Sequence, residues 1–181
     1  MPRLFVALRP PPAIRDRLLD LMIGVDGARW QDEEQLHLTL RFVGEIDARA
    51  ADDLAAALGQ VHAPVPIVRL AGTGRFEKRG RTNALWAGVQ PHAQLAALHR
   101  KVDAACVRAG LPPEGRAYLP HITVARAGSG TDESAVGRWI GDTAGLASAP
   151  FACPHLILYE SQLGHGGASY EPVLRWPLDP D

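Results

Sequence analysis

Two short stretches with one pattern, His37-Leu38-Thr39-Leu40 and His121-Ile122-Thr123-Val124, decide how the chain is interpreted. Each contains a histidine, an apolar residue, a threonine and a second apolar residue. Successive side chains of a β-strand point to opposite faces, so the histidine and the threonine share one face and the apolar residues share the other. Each stretch is therefore predicted to be a strand with one face in the core and one face in a cleft.

The alternation continues past the first motif. Its apolar row consists of Leu36, Leu38, Leu40 and Phe42. Arg41 falls in the polar row with His37 and Thr39, so the pattern predicts that it points into the cleft. Arg126 has the opposite parity from His121, and it reaches the cleft only if its strand bends, bulges or ends before it.

The segments around the two motifs are also duplicated. In each half a buried strand, Leu4–Leu8 or Leu85–Val89, precedes proline and an amphipathic helix, and the histidine strand, a helix and an apolar run follow. Corresponding elements of the two halves are separated by about 80–86 residues. We predict one domain over residues 1–181, built from two pseudo-symmetric halves at about 1–80 and 81–181, whose histidine strands face each other across one cleft. An exchange of terminal strands between the lobes is left open.

The predicted boundaries follow from hydrophobic periodicity and from glycine and proline signals. The predicted strands are 1–8, 36–42, 65–71, 84–89, 121–126, 151–160 and 169–176, the last two forming a hairpin. The predicted helices are 11–25, 48–60, 92–109 and 132–141.

The stretch from Gly72 to Arg81 is interpreted as the main irregular segment, because it carries four basic residues and Phe76 between glycines. Its simplest interpretation is a mobile hairpin loop. The functional alternative is a flap beside the cleft, in which Phe76 stacks on a base and the arginines meet phosphate.

Composition limits the classes of function. The chain has 46% hydrophobic and 22% charged residues and a net charge of −1, which is ordinary for a globular domain and argues against a protein that coats long nucleic acid. No apolar run is long enough to span a bilayer, and no signal peptide is evident. Cys106 and Cys153 lie in apolar runs and are expected to be buried free thiols, which favours the cytoplasm.

With these motifs and flanks, the chain resembles the two-histidine (2H) phosphoesterases, and within them the RNA 2′,3′-cyclic phosphodiesterases, also called 2′-5′ RNA ligases. The resemblance covers nearly the whole chain, including Gly44-Glu45 after the first motif and Leu158-Tyr159-Glu160-Ser161 near the end. It implies a bilobal α+β fold, in which two antiparallel sheets surround a central cleft and the helices lie outside.

The resemblance also implies roles for individual residues. His37 would be the proton donor and His121 the proton acceptor in a metal-free, cofactor-free hydrolysis of RNA 2′,3′-cyclic phosphate ends to 2′-phosphates, with weak reversible 2′-5′ ligation as an open addition. Thr39, Thr123 and Arg126 would bind the phosphate. The resemblance thus favours Arg126, whereas alternation favours Arg41. We choose Arg126 and keep Arg41 as a candidate substrate contact, together with Phe76 and Tyr118.

Elementary chemistry supports the two histidines. Opening a cyclic phosphodiester requires a base for the attacking water and an acid for the departing ribose oxygen, on opposite sides of phosphorus. Histidine suits both roles because its pKa lies near the working pH. A threonine hydroxyl two residues later can donate to a non-bridging oxygen, and arginine adds a fixed charge.

Simpler interpretations apply elsewhere. The histidines outside the motifs are interpreted as surface or hydrogen-bonded residues: His62, His92, His99, His155 and His165. A zinc site is the rival use of histidine, but His92 and His99, seven apart on one predicted helix, have no third ligand in the pattern. Tyr118 is expected in the core or the cleft wall, with a substrate contact as the alternative.

Two classes of function remain open. The first is the phosphodiesterase, acting on RNA ends with a 2′,3′-cyclic phosphate, tRNA fragments among them, or on small cyclic nucleotides. The second is a non-catalytic module that holds a terminal phosphate in the same cleft. Loss of a motif histidine or threonine would favour the module, and all four are intact. No membrane partner is expected, and the default oligomeric state is a monomer.

Overall fold

The computed structural model describes residues 1–180 as four helices and nine strands. The helices are α1 (Pro12–Leu19), α2 (Ala48–Leu58), α3 (Ala93–Arg108) and α4 (Glu133–Thr143), and a 3-10 turn covers Glu33–Gln35. The strands are β1 (Arg3–Leu8), β2 (Arg29–Trp30), β3 (Leu38–Glu45), β4 (Ile67–Lys78), β5 (Arg81–Gln90), β6 (His121–Arg126), β7 (Phe151–Ala152), β8 (His155–Gly164) and β9 (Gly167–Pro177). Within this part of the chain, no helix is long and apolar enough to cross a membrane.

The strands form one curled antiparallel sheet in the order β7-β4-β5-β6-β3-β1-β8-β9, and β2 pairs with β6. One lobe contains β1, β3, β8 and β9, and the other contains β4 to β7 with β2. The predicted α+β class is confirmed. The two expected sheets are instead two lobes of one sheet, and one residue pair between β3 and β6, Leu38 with Ile122, joins them. Each lobe contains strands from both halves of the sequence.

The four helices cover one face of this sheet. Leu18 of α1, Leu54 of α2, Leu98 of α3 and Val136 of α4 belong to one buried core with the strand residues. Phe5 belongs instead to a smaller cluster on the opposite face. Its ring centroid lies 4.8 Å from that of His37. Because no helix covers this opposite face, it remains free to hold the site.

The prediction that residues 72–81 form an irregular loop is wrong. Strand β4 continues to Lys78, and the hairpin turns only at Arg79 and Gly80 before β5 begins. The glycines misled the prediction because they serve the strand. Gly72 has a φ of +70° where the β4–β5 register shifts, and Gly74 packs so closely on the Trp86 ring that a Cβ atom there would clash.

Two predicted boundaries also need correction. The first helix ends at Leu19 and not at residue 25, because the next turn tightens, with the Leu21 amide donating to the Leu18 carbonyl. The predicted strand 151–160 is broken at Cys153-Pro154. Its first part, β7, pairs with β4, and its second part, β8, pairs with β1. Proline has no N–H to continue a ladder.

We expect Gly88→Ala to destabilise the fold. Gly88 pairs with His121, and a Cβ atom at this position would strike the backbone carbonyl oxygen of Ala71. Overpacking of this kind costs about 1–3 kcal/mol. The free energy of unfolding, measured by urea titration, should fall by that amount.

Gly137→Ala is the matched control, because Gly137 is exposed on α4 and a Cβ atom there meets nothing within 4 Å. Alanine should stabilise this helix by about 0.5–1 kcal/mol. A Gly88→Ala protein as stable as the wild type would contradict the close approach of β4 and β5.

Candidate active site

The pair that joins the lobes also assembles the two motifs. Leu38 of β3 lies opposite Ile122 of β6 in an antiparallel arrangement. By this register, His37 lies across from Thr123, and Thr39 lies across from His121. The side chains on either side of the pair point to the opposite face from Leu38 and Ile122, which are buried. The two histidines therefore occupy diagonal corners of a four-residue group, with a threonine at each of the other corners.

A β-bulge follows the threonine in both motifs. In β3 the register with β1 shifts between Thr39 and Arg41, and in β6 the register with β5 shifts between Thr123 and Ala125. Each bulge inserts one residue and reverses the alternation after it. Arg126 therefore lies on the same face as His121. The sequence pattern allowed this only if the strand bends, bulges or ends before Arg126. Arg126 is exposed and lines the same cleft as both histidines.

The corresponding bulge in β3 takes Arg41 out of the exposed, cleft-facing position that alternation predicts. Phe42 takes the cleft-facing position and is 62% exposed, whereas Arg41 is 5% exposed. The Arg41 guanidinium lies 3.1 Å from the carboxylate of Asp103, and it donates to the backbone carbonyls of Phe42 and Pro112. Arg41 therefore anchors β3 to the neighbouring loop, although part of it reaches the cleft wall.

The two histidine rings are held in the same way. Nδ1 of His37 lies 2.7 Å from the carbonyl oxygen of Gln35, and Nδ1 of His121 lies 2.7 Å from that of Leu119. A carbonyl oxygen only accepts, so Nδ1 carries the proton in both rings. Nε2 is then the atom that exchanges a proton with a ligand. Two chemically equivalent Nε2 atoms are thus available in one cleft.

Aromatic side chains pack against both histidines, each of which is half-buried at the edge of the cleft. The His37 ring contacts Phe5, Tyr159 and Tyr170, with the Tyr170 centroid at 5.1 Å. The His121 ring meets the edge of Phe76 at 4.8 Å. Burial, followed by the nearby charge of Arg126, lowers the pKa of His37 from 6.5 to about 4. Burial also lowers the pKa of His121.

The cleft has a volume of about 660 Å³ and brings all eight predicted site residues together. They are His37, His121, Thr39, Thr123, Arg126, Phe76, Tyr118 and, at the wall, Arg41. Among the other lining residues, which the sequence did not single out as site residues, are Phe42, Lys78, Asn83, His99 and Arg116. Phe42 was missed because strict alternation assigns it to the core, and His99 because a single histidine on a helix carries no signal.

Tyr118 and His99 support the bulge in β3. The Tyr118 hydroxyl donates to the carbonyl of Thr39 at 3.0 Å, and Nδ1 of His99 lies 2.7 Å from the carbonyl of Leu40. The two rings stack with centroids 4.3 Å apart. Because its hydroxyl proton is used in this bond, Tyr118 acts here as part of the cleft wall. Burial raises its pKa.

A metal site has no support in the arrangement of side chains. Across residues 1–180, no group of three or more His, Cys, Asp and Glu side chains is placed to hold a metal ion. His92 precedes α3 and lines a different surface pocket from His99.

The family comparison gives a direct match. A family model described as the 2′-5′ RNA ligase superfamily matches residues 10–165. The RNA 2′,3′-cyclic phosphodiesterase of Escherichia coli (strain K12) is 28% identical over 187 residues, covering 97% of this chain and 96% of that protein. A protein of the same name from Geobacillus stearothermophilus is 32% identical over 161 residues, and the match spans 47% of that protein's length.

Solved structures of similar proteins have the same fold as this chain. The crystal structure of Escherichia coli LigT complexed with 3′-AMP superposes with a TM-score of 0.77 at 25% identity, and the match covers 98% of this chain and 99% of that chain. A crystal structure described as a phosphoesterase matches with the same TM-score and identity and covers 98% of both chains.

We expect Arg41→Met to lower stability, because it removes the buried cation that faces the half-buried carboxylate of Asp103. Loss of a hydrogen-bonded charge costs about 1–3 kcal/mol in the free energy of unfolding. Arg126→Met is the matched control, since Arg126 is exposed and should change stability by only about 0.5 kcal/mol or less. Equal urea midpoints for the two variants would contradict a structural role for Arg41.

Proposed function

The chain belongs to the 2′-5′ RNA ligase superfamily, and we propose that it hydrolyses 2′,3′-cyclic phosphate at RNA ends to a 2′-phosphate. The observation that carries this proposal is the diagonal pair of histidines, each with Nδ1 on a backbone carbonyl and Nε2 available to the cleft. Two such groups flanking one phosphorus suit an in-line displacement. The relatives named RNA 2′,3′-cyclic phosphodiesterase support the choice of substrate.

In the proposed reaction, His121 accepts a proton from water at Nε2 while the water oxygen bonds to phosphorus. The bond from phosphorus to the ribose 3′ oxygen breaks on the opposite side. His37 donates its Nε2 proton to that oxygen, which leaves a 3′-hydroxyl and a 2′-phosphate. Each proton transfer by a positioned histidine contributes about 10²- to 10⁴-fold. A 5′-hydroxyl end of RNA in place of water would give weak 2′-5′ ligation by the same steps.

Thr39 and Thr123 are proposed to donate hydroxyl hydrogen bonds to the non-bridging phosphate oxygens. Their positions in the four-residue group place one threonine beside each histidine, so the donors surround the phosphate from both lobes. Arg126 is proposed to balance the charge that grows on these oxygens in the transition state. Fixed donors and charges are effective here because they need no reorganisation during the reaction.

The low pKa of His37 has a consequence for the proposed acid. With a pKa of about 4, His37 is neutral in the empty cleft near pH 7. A proton on His37 is disfavoured by burial and by the positive charge of Arg126. An anionic phosphate between them offsets that charge and raises the pKa of His37. The substrate therefore helps to protonate its own acid.

The first test is hydrolysis of a short RNA with a 2′,3′-cyclic phosphate in the presence of EDTA. We expect turnover to a 2′-phosphate that chelation leaves unchanged. His37→Ala and His121→Ala should each lower kcat by about 10²- to 10⁴-fold, because each removes one proton transfer. His62→Ala is the control, since the His62 side chain is 75% exposed and lies outside the cleft.

The outcomes separate the remaining possibilities. Retained binding of the cyclic end without turnover by the wild type would favour a non-catalytic module. Turnover of 2′,3′-cyclic mononucleotides but not of RNA would restrict the substrate to small cyclic nucleotides. Full activity of either cleft-histidine variant would contradict the two-histidine mechanism.

We also expect a bell-shaped dependence of kcat/KM on pH with its maximum below pH 6.5. The acid loses its proton as pH rises through its pKa, and the base gains one as pH falls through its own. Both pKa values are lowered from 6.5 in the free protein, so both limbs lie on the acidic side. The bound anion raises both values, so the kcat profile should lie at higher pH. A flat profile between about pH 5 and 9 would rule out histidine control.

A further inference from the structure

A second cavity of about 660 Å³ lies beside the cleft, on the side of His37. Its walls include Arg9, Arg15, His155, Tyr159, Tyr170 and Arg175. Tyr159 belongs to the same small cluster as Phe5, on the face of the sheet that carries the site, and Tyr170 packs against this cluster. The rings of both tyrosines also contact His37, at centroid distances of 6.2 and 5.1 Å. The cavity and the cleft are therefore neighbours on one face of the sheet, separated by a wall of aromatic rings.

Tyr159 contributes a polar group to the wall of this cavity. The residue is only 4% exposed, and its ring is packed between Phe5 and the other aromatic side chains. The residue lines the cavity, and its hydroxyl forms no side-chain hydrogen bond within residues 1–180. This hydroxyl is not sealed from solvent, so it is available to donate to an acceptor in the cavity.

Two arginines of the cavity have charge available for such an acceptor. Arg9 donates through one nitrogen to the carbonyls of Glu33, Glu34 and Leu36, and no carboxylate of the described chain pairs with it. Arg175 is exposed on β9 and also forms no ion pair within residues 1–180. Arg15 differs, because its Nε lies 2.8 Å from the carboxylate of Glu33. The phosphate-binding capacity therefore rests on Arg9, Arg175 and the Tyr159 hydroxyl.

The rest of the lining suits a whole nucleotide better than a bare anion. Glu34 and Glu171 stand exposed at the rim, where they repel an isolated anion but can accept hydrogen bonds from ribose hydroxyls. Tyr170 and the prolines at positions 10, 11, 154 and 172 offer flat apolar surfaces to a base. Cations, carboxylates and flat apolar surfaces together match the three parts of a nucleoside phosphate.

We propose that this cavity binds a nucleoside phosphate, namely the neighbouring nucleotide of an RNA whose cyclic end occupies the cleft. This assignment rests on the proposed function, since it takes the catalytic cleft as the position of the RNA end. The next phosphate of the strand would lie against Arg9, Arg175 and Tyr159. The cavity would make the protein prefer RNA ends over single cyclic nucleotides.

The test compares 2′,3′-cyclic AMP with a diadenosine that carries the same cyclic end, using the wild type, Arg175→Ala and Tyr159→Phe. We expect each variant to lower the ratio of kcat/KM for the dinucleotide to kcat/KM for the mononucleotide. The loss should be about tenfold for Arg175→Ala, the size expected for one charge-assisted hydrogen bond, and smaller for Tyr159→Phe. Tyr159→Phe keeps the ring beside His37, so it removes the hydroxyl alone.

Arg108→Ala is the control, because Arg108 is an exposed arginine at the end of α3, outside both cavities. It changes the net charge as Arg175→Ala does and should leave the ratio as in the wild type. If Arg175→Ala and Tyr159→Phe also leave the ratio unchanged, the neighbouring nucleotide does not occupy this cavity and the proposal is overturned.

Binding measured by calorimetry keeps this proposal separate from the proposed function. Diadenosine ending in a 2′-phosphate is titrated into the wild type and Arg175→Ala, which requires no turnover. Tighter binding of the dinucleotide than of 2′-AMP, lost in Arg175→Ala, supports the cavity even if no cyclic phosphate is hydrolysed. In a third titration, 5′-AMP is added to His37→Ala and to the double variant His37→Ala/Arg175→Ala. Binding to the first that is weakened in the second would assign the cavity to a free nucleotide and overturn its occupation by the RNA strand.

Discussion

The antiparallel pair of Leu38 with Ile122 is the contact on which the site depends. It is the one residue pair between β3 and β6, so it both joins the lobes and sets the register of the two motifs. A shift by one residue in either strand would turn its histidine and threonine toward the core. Both residues of the pair are fully buried, and the apolar packing beneath them makes such a shift unfavourable. The core thus fixes the geometry of the polar group above it.

The strands separate beyond this pair, and the two bulges lie where the ladder between the motif strands is lost. Each bulge exposes a carbonyl that needs a donor. In β6 the Val124 carbonyl accepts from the backbone N–H of Gln31, next to β2. In β3 the equivalent Leu40 carbonyl accepts from the His99 side chain. Pseudo-symmetric strands are therefore supported by different groups. The bulge in β6 is supported by a backbone group and the bulge in β3 by a side chain. The two sides of the cleft therefore differ chemically, although the strands that carry the motifs are related by the duplication.

The sequence predicted the class of fold, the sites of all four helices and the assembly of His37, His121, Thr39 and Thr123 in one cleft, because these features depend on periodicity and repetition. Alternation failed at Arg41 and Phe42, since a bulge is specified by contacts between strands that no local pattern records. Glycine also misled the prediction for residues 72–81. A glycine needed for close packing against Trp86 looks the same in a sequence as one needed for a turn.

The aromatic surroundings of the histidines give the cleft an electrostatic property that suits an anionic substrate. Arg126 carries a permanent charge, and protonation of both half-buried histidines would place three cations around one cleft. The lowered pKa values avoid this, so the empty cleft holds neutral rings. A phosphate anion reverses the balance, because its charge favours a proton on the nearest Nε2. On the proposed mechanism, His37 therefore becomes protonated mainly when the ribose oxygen that it must protonate is present. The unfavourable burial of a charged histidine then occurs only in the complex with the substrate.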